Sequence, residues 1–416
     1  MNEKTIRLEI SNLDRISGEW VYSDLSLPAE EHEIKDAFQR ARLTSAYESP
    51  LNAAVYNSSV FPPLTNMRLD SPSVLELNFL AQRYSELDED EIAVLNSVWR
   101  KYITEDDDPV SMKTLINLTY GLDEVSVISG VTNLKMLGEF VIENDMHPDV
   151  SAIPKESLYL LDRMTVGELQ RKEDGGIFNR GKYIVTNDYE LKKVYNGKLP
   201  QSEPSNTFAF KLELTKLPVD EDGNLTSPQA WIKLPASKED IRIVETKLGL
   251  DNIREALYVD FVSIIPQIES SMFPDMHDFD KLNELSSFVV GSTAFSQAKY
   301  KAILEAEKPQ SLDELFDIAE NLDRYEFNPT MSTPETYFRT YLSLHLPTDF
   351  DLSWLDSIAT NREGEKLSSR MECKFTNYGL ISSRDGSLFD LITREPEEDE
   401  EYDMDEEDSD IGMGGM

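Results

Sequence analysis

The side chains of this chain that could carry chemistry near neutral pH are four histidines, one cysteine and seventy-nine carboxylates. His32, His147, His277 and His345 show neither His-x-x-x-His nor cysteine-paired spacing, and no glycine-rich phosphate loop precedes a helix. Cys373 stands alone, which rules out an intrachain disulfide and a four-thiolate metal site. Asp220, Asp222 and Asn224 begin like a calcium loop, yet its twelfth position is Trp231, where a bidentate glutamate belongs. A plain hairpin turn accounts for them. With so many carboxylates and no convergent aromatic or histidine context, spacing selects no general-acid and general-base pair. The chain reads as a non-enzyme with no cofactor and no bound metal.

What is left is the acid itself. Asp and Glu outnumber Lys and Arg 79 to 40, a formal net charge of −39 in 416 residues. Such a charge repels nucleic acid and anionic membrane, so the natural partners should be basic. Residues 1 to 200 hold 34 acidic and 21 basic side chains, residues 201 to 394 hold 33 and 19, and residues 395 to 416 hold 12 and none. Two-thirds of the excess therefore lies outside the tail. One dense run, Glu86, Asp88, Glu89, Asp90 and Glu91, precedes a helix carrying Trp99, and another, Glu105, Asp106, Asp107 and Asp108, follows it. Carboxylates at a helix N-terminus stabilise its dipole by about 0.3–1 kcal/mol each. Helix stability thus explains the first run but not the second. A third group is Asp313, Glu314, Asp317 and Glu320, in which positions 313, 317 and 320 share one helix face.

The elements that must hold these groups come in two sets. Ser111 to Asp123 reappears without gaps as Ser311 to Asp323: Met112, Leu115, Ile116, Thr119 and Leu122 have the spacing of Leu312, Leu315, Phe316, Ala319 and Leu322. Both stretches predict an amphipathic helix with one buried stripe, leaving Lys113, Asn117 and Tyr120 outward in the first and Asp313, Asp317 and Glu320 in the second. Ile6, Leu8 and Ile10 alternate with polar neighbours before a return strand at Trp20, and the alternation from Phe208 to Leu214 precedes one at Trp231. Leu27-Pro28-Ala29 and Leu234-Pro235-Ala236 each open an acidic-led helix, with proline near its start. Leu77-Asn78 and Leu282-Asn283 start further helices, and Ile92, Leu95, Trp99 and Tyr102 point inward from the helix between the two acidic runs. Hairpins at Phe178 to Val185 and Phe375 to Ile381 close the two sets.

The expected fold is α+β: two tandem copies of one unit of β-hairpins and short amphipathic helices, over residues 1–200 and 201–394, joined by a Pro- and Ser-containing linker at about 197–207. Residues 395–416 read as a disordered acidic tail. The N-terminus lacks a signal-peptide pattern, no apolar run is long enough for a membrane span, and a single cysteine suits a reducing compartment. A cytoplasmic location is expected.

Several of these stretches are similar to antirestriction proteins of the ArdA type: Asn12, Leu13 and Gly18-Glu19-Trp20, the Leu27-Pro28-Ala29 helix entry, Leu77-Asn78-Phe79-Leu80-Ala81, and Leu115-Ile116-Asn117-Leu118-Thr119. The likeness covers most of residues 5 to 150, and in the second copy it rests on Leu234-Pro235-Ala236, Leu282-Asn283 and the repeated helix. The chain is roughly twice the family's expected length. The resemblance implies a bacterial, cytoplasmic, non-enzymatic inhibitor, each copy an elongated unit of small α+β subdomains, that occupies the DNA-binding site of type I restriction-modification enzymes and protects incoming mobile-element DNA. It also implies a dimer, which two copies in one chain could supply as a pseudo-dimer. The thirteen carboxylates of the three acidic groups are the expected phosphate mimics. Residues 155 to 200, with nine basic and seven acidic side chains, interrupt the negative surface. The alternative is an acidic scaffold that sequesters a basic nucleic-acid-binding partner, largely through its tail.

Overall fold

The computed structural model describes residues 3–13, 20–43, 53–104, 109–200, 208–216, 228–273, 275–331, 333–347, 350 and 360–384. The turn at Asp220 to Asn224, the acidic run Glu105, Asp106, Asp107 and Asp108, most of the linker and the tail lie outside them. The first half runs β1 (Ile6–Leu13), β2 (Trp20–Leu27), α1 (Glu31–Arg40), β3 (Ala53–Ser58), α2 (Val74–Glu86), α3 (Glu89–Val98), α4 (Met112–Asn117), β4 (Val127–Ser129), α5 (Leu134–Glu143), α6 (Pro148–Ser151), α7 (Arg163–Asp174), β5 (Ile177–Asn179) and β6 (Lys182–Ile184). The second runs β7 (Phe210–Thr215), β8 (Gln229–Leu234), α8 (Lys238–Leu248), β9 (Leu257–Ser263), α9 (Phe279–Gly291), α10 (Ala294–Glu307), α11 (Leu312–Glu320), β10 (Tyr325–Asn328), α12 (Pro334–His345), α13 (Thr360–Arg370), β11 (Lys374–Thr376) and β12 (Gly379–Ser383).

The architecture is mixed α+β, with small antiparallel sheets ordered β2-β1-β3 and β4-β6-β5 in the first half and β8-β7-β9 and β10-β12-β11 in the second. Alternation decides which face each sheet buries. Ile6, Leu8 and Ile10 of β1 enter one core, and Phe210, Leu212 and Leu214 of β7 enter another. A third, smaller core forms around Leu137, Val141 and Tyr183 under α5. There α5 and α7 run antiparallel in direct backbone contact. A Cβ on Gly138 would stand 1.8 Å from the Arg163 carbonyl oxygen, and one on Gly167 would stand 2.0 Å from that of Leu134.

The proline motifs lead into acidic-led helices, as expected, but across a joint of their own. Pro28 and Pro235 follow cis peptide bonds at the ends of β2 and β8, and α1 and α8 begin further on, at N-caps Glu30 and Ser237 with capping boxes. Each joint is held by an asparagine from the second turn of a later helix, where Asn78 and Asn283 were expected to mark helix starts. The Asn78 side chain accepts from the Ala29 N–H at 2.6 Å and donates to the Ala29 carbonyl at 2.9 Å. Asn283 treats Ala236 the same way, at 2.7 and 3.1 Å. One side chain thereby satisfies both backbone groups of a residue that belongs to no ladder.

Two phases also differ. The helix expected over Ser111 to Asp123 ends at Asn117, after which Gly121 turns at φ 72° and a 3-10 turn takes up Leu122–Glu124. Asn117, expected outward, is buried: its amide nitrogen donates to the Tyr195 carbonyl at 3.0 Å and its oxygen accepts from the Tyr195 N–H at 2.8 Å. In α3 the fully buried side chains are Ala93, Val94, Leu95, Ser97 and Val98, while Ile92, Trp99 and Tyr102 are half-buried against the core. Helix α3 packs on both the β5–β6 hairpin and the 3-10 turn at Leu122–Glu124, so its buried face is wider than a single stripe.

Asn78→Ala should lower unfolding stability by about 1–3 kcal/mol, because two backbone groups at the joint lose their partner. Denaturant titration checks it, with Asn283→Ala expected to match. Gly167→Ala should destabilise by at least about 1–3 kcal/mol, since α5 and α7 would have to part. The same titration reads it.

Candidate functional site

The three acidic groups sit differently. In the first, α2 ends and α3 begins within the run, so its carboxylates serve the turn between the helices. Asp88 is the N-cap of α3 and accepts from the N–H groups of Asp90 and Glu91 at 2.8 and 2.9 Å, while the Glu91 carboxylate reaches back to the Asp88 N–H at 2.9 Å. Glu86 pairs with Arg83, and Asp90 pairs with Lys182 of β6. Glu89 is exposed and has no ion pair among the described residues. The locally basic stretch therefore does more than interrupt the acid, because Lys182 neutralises one member of the run.

In the second half α11 presents what its spacing predicts. Asp313, Asp317 and Glu320 are exposed while Leu312, Leu315, Ile318 and Ala319 are buried on the other side. Asp313 pairs with Lys281 of α9, and Glu314 accepts from the Gln310 N–H at 2.6 Å. Asp317 and Glu320 have no ion pair among the described residues. Helix α9 adds acid that a search for dense runs passes over: Asp280, paired with Arg254, and Glu284 one turn later, both exposed. Glu143 and Asp145, at the end of α5, are likewise exposed and separated in sequence by a neutral residue. Exposure, not adjacency in the chain, would have been the signal.

A different carboxylate is withdrawn from water. Asp36 of α1 and Lys301 of α10 are, among the described residues, the one buried carboxylate and the one buried ammonium. They meet across the two halves at 2.7 Å. The Tyr378 hydroxyl donates to the same Asp36 oxygen at 2.8 Å, the Arg40 Nε donates to the other at 3.0 Å, and Lys301 also donates to the Gln39 side chain at 2.9 Å. Burial by itself would raise the Asp36 carboxyl; the Lys301 ammonium, aided by Tyr378 and Arg40, outweighs it and holds the group below the usual carboxylate range. Nothing in the spacing of either residue separated it from the other charges in the sequence.

The histidines have structural surroundings. His147 caps α6, accepting from the Asp149 N–H at 3.1 Å, and its other ring nitrogen lies 3.1 Å from Glu173. His32 is half-buried edge-on to Phe208, and burial lowers its pKa. Among the described residues no group of three or more His, Cys, Asp and Glu side chains is placed to share a metal ion, and no helix is long and apolar enough to cross a membrane.

The cap assigns Asp88 a local duty that can be measured apart from any partner. Asp88→Ala should cost about 0.5–2 kcal/mol of stability, whereas Asp88→Asn, which keeps a capping oxygen, should stay close to the parent. Thermal unfolding separates the two. No protein-family model matches the chain, and no curated protein matches it.

Proposed function

We propose that this protein is a DNA-mimicking inhibitor, built as two tandem copies of one α+β unit, whose folded acidic surfaces occupy the DNA-binding site of a type I restriction-modification enzyme. The observation that carries this reading is acid held outward on a folded helix: α11 presents Asp313, Asp317 and Glu320 opposite its buried stripe, in a chain whose residues 1–200 and 201–394 carry net charges of −13 (21 less 34) and −14 (19 less 33). DNA carries one charge per about 1.7 Å of axis, so an imitation needs many carboxylates at fixed positions. Helices seated on separate cores can supply them. The matching order of strands in the paired sheets, the two proline joints and the two asparagine clamps support the tandem reading. The likeness of residues 5 to 150 to ArdA-type proteins supports the choice of target.

A surface of this kind spreads its binding energy. Single exposed charges contribute about 0.2–1 kcal/mol, so Glu89→Gln alone should change affinity less than about fivefold. Joint neutralisation of Glu89, Asp317 and Glu320 should weaken it about tenfold or more. The test is competition between this protein and a labelled target duplex for a purified type I restriction enzyme, at two salt concentrations. Displacement of DNA that weakens at higher salt and survives removal of residues 395–416 is the expected result. Displacement lost with the tail would favour a sequestering scaffold, and none with the whole chain would overturn the proposed target.

A further inference from the structure

Asp36 and Lys301 are not needed by either core. Each half buries its own apolar cluster, yet both side chains are withdrawn from water where the halves meet. A buried pair of this kind is weak evidence for stability, because desolvation offsets most of the attraction. Its better-attested use is to reject alternative arrangements, since any other docking strands a buried charge. The surroundings fit that use. Asp36 takes hydrogen bonds from Arg40 of its own helix and from Lys301 and Tyr378 of the other half, and Gln267 of the second half donates to the Tyr378 hydroxyl at 3.3 Å. Nearby, Arg42 donates to the Thr330 carbonyl at 2.8 Å, again across the halves.

Among the described residues the arrangement occurs once. Eight residues after Pro28 stands Asp36; eight residues after Pro235 stands Ile243, on the corresponding helix, and it is 60% exposed. Helix α1 is therefore docked where α8 is left open, so the halves do not meet through a two-fold exchange of equal faces. Contact of this unequal kind has no symmetry to set its angle. Something specific must.

We propose that Asp36, Lys301 and Tyr378 form a positioning site that locks the two halves into one relative orientation and thereby aligns the acidic faces of α3 and α11. The second clause rests on the mimicry reading above; the first does not. The test labels Lys113→Cys on α4 and Ser287→Cys on α9 in the full chain carrying Cys373→Ser, and measures the spin–spin distance distribution by pulsed electron resonance. The parent should give one narrow distance. Asp36→Asn and Lys301→Met should each broaden or shift it while amide exchange inside each half stays as in the parent. Tyr378→Phe, which removes only a hydroxyl, should do so to a smaller degree and carries the test if the charge variants fail to fold. Superimposable distributions across the folded variants would overturn the lock. The competition assay is read on the same samples. A broadened variant that displaces DNA as well as the parent would overturn the alignment role alone, and a parent that holds one distance but displaces nothing would overturn mimicry while leaving the lock in place.

Discussion

The contact between the halves turns on Asp36, the one buried carboxylate among the described residues. Removing a carboxylate from solvent is tolerated only where donors replace the lost hydration. Asp36 has three, from Lys301, Tyr378 and Arg40, and two of them come from the far half of the sequence. The halves can meet this way only when α1, α10 and the β11–β12 turn arrive together. A purely apolar contact would have permitted sliding, because dispersion and the hydrophobic effect reward area and not direction.

The remaining charge is managed by geometry. With 79 acidic against 40 basic side chains, the lysines and arginines cannot balance the surface. Several stand between elements instead: Lys182 links the β5–β6 hairpin to α3, Lys281 links α9 to α11, and Lys192 reaches Glu124. Exposed pairs of this sort add little to stability. They mark where negative potential is locally reduced, leaving Glu89, Asp317, Glu320 and Glu284 as exposed acid on helices whose other faces are buried. Those helices can hold charge against mutual repulsion because each is anchored by apolar contacts that do not depend on it.

Backbone economy recurs at a smaller scale. Asn78, Asn283 and Asn117 each use one amide to satisfy an N–H and a C=O of a single residue outside any ladder. The first two pin a strand to a helix, and the third ties the segment after β6 back to α4. Asparagine suits this because its side-chain amide sets an acceptor oxygen beside a donor nitrogen in one plane, like the peptide group it meets.

Local pattern in the sequence determined the element types and their order. The alternation of Ile6, Leu8 and Ile10, the stripe through Leu312, Leu315 and Ala319, and the glycine-marked hairpins are short-range signals, and the α+β class follows from them. The outward set of Asp313, Asp317 and Glu320 was legible for the same reason, since a helix with one apolar stripe leaves no choice for the opposite side. What the sequence could not carry is contact between distant residues. Asn117 has the spacing of a surface position and is buried because Tyr195 lies over it; Pro28 resembles a helix start, but the joint Asn78 clamps lies before the helix. Asp36 is one aspartate among many until Lys301, far along the chain, is brought to it by the packing of one half on the other. Burial and partnership of polar groups are properties of tertiary contact, and there only the folded structure decided.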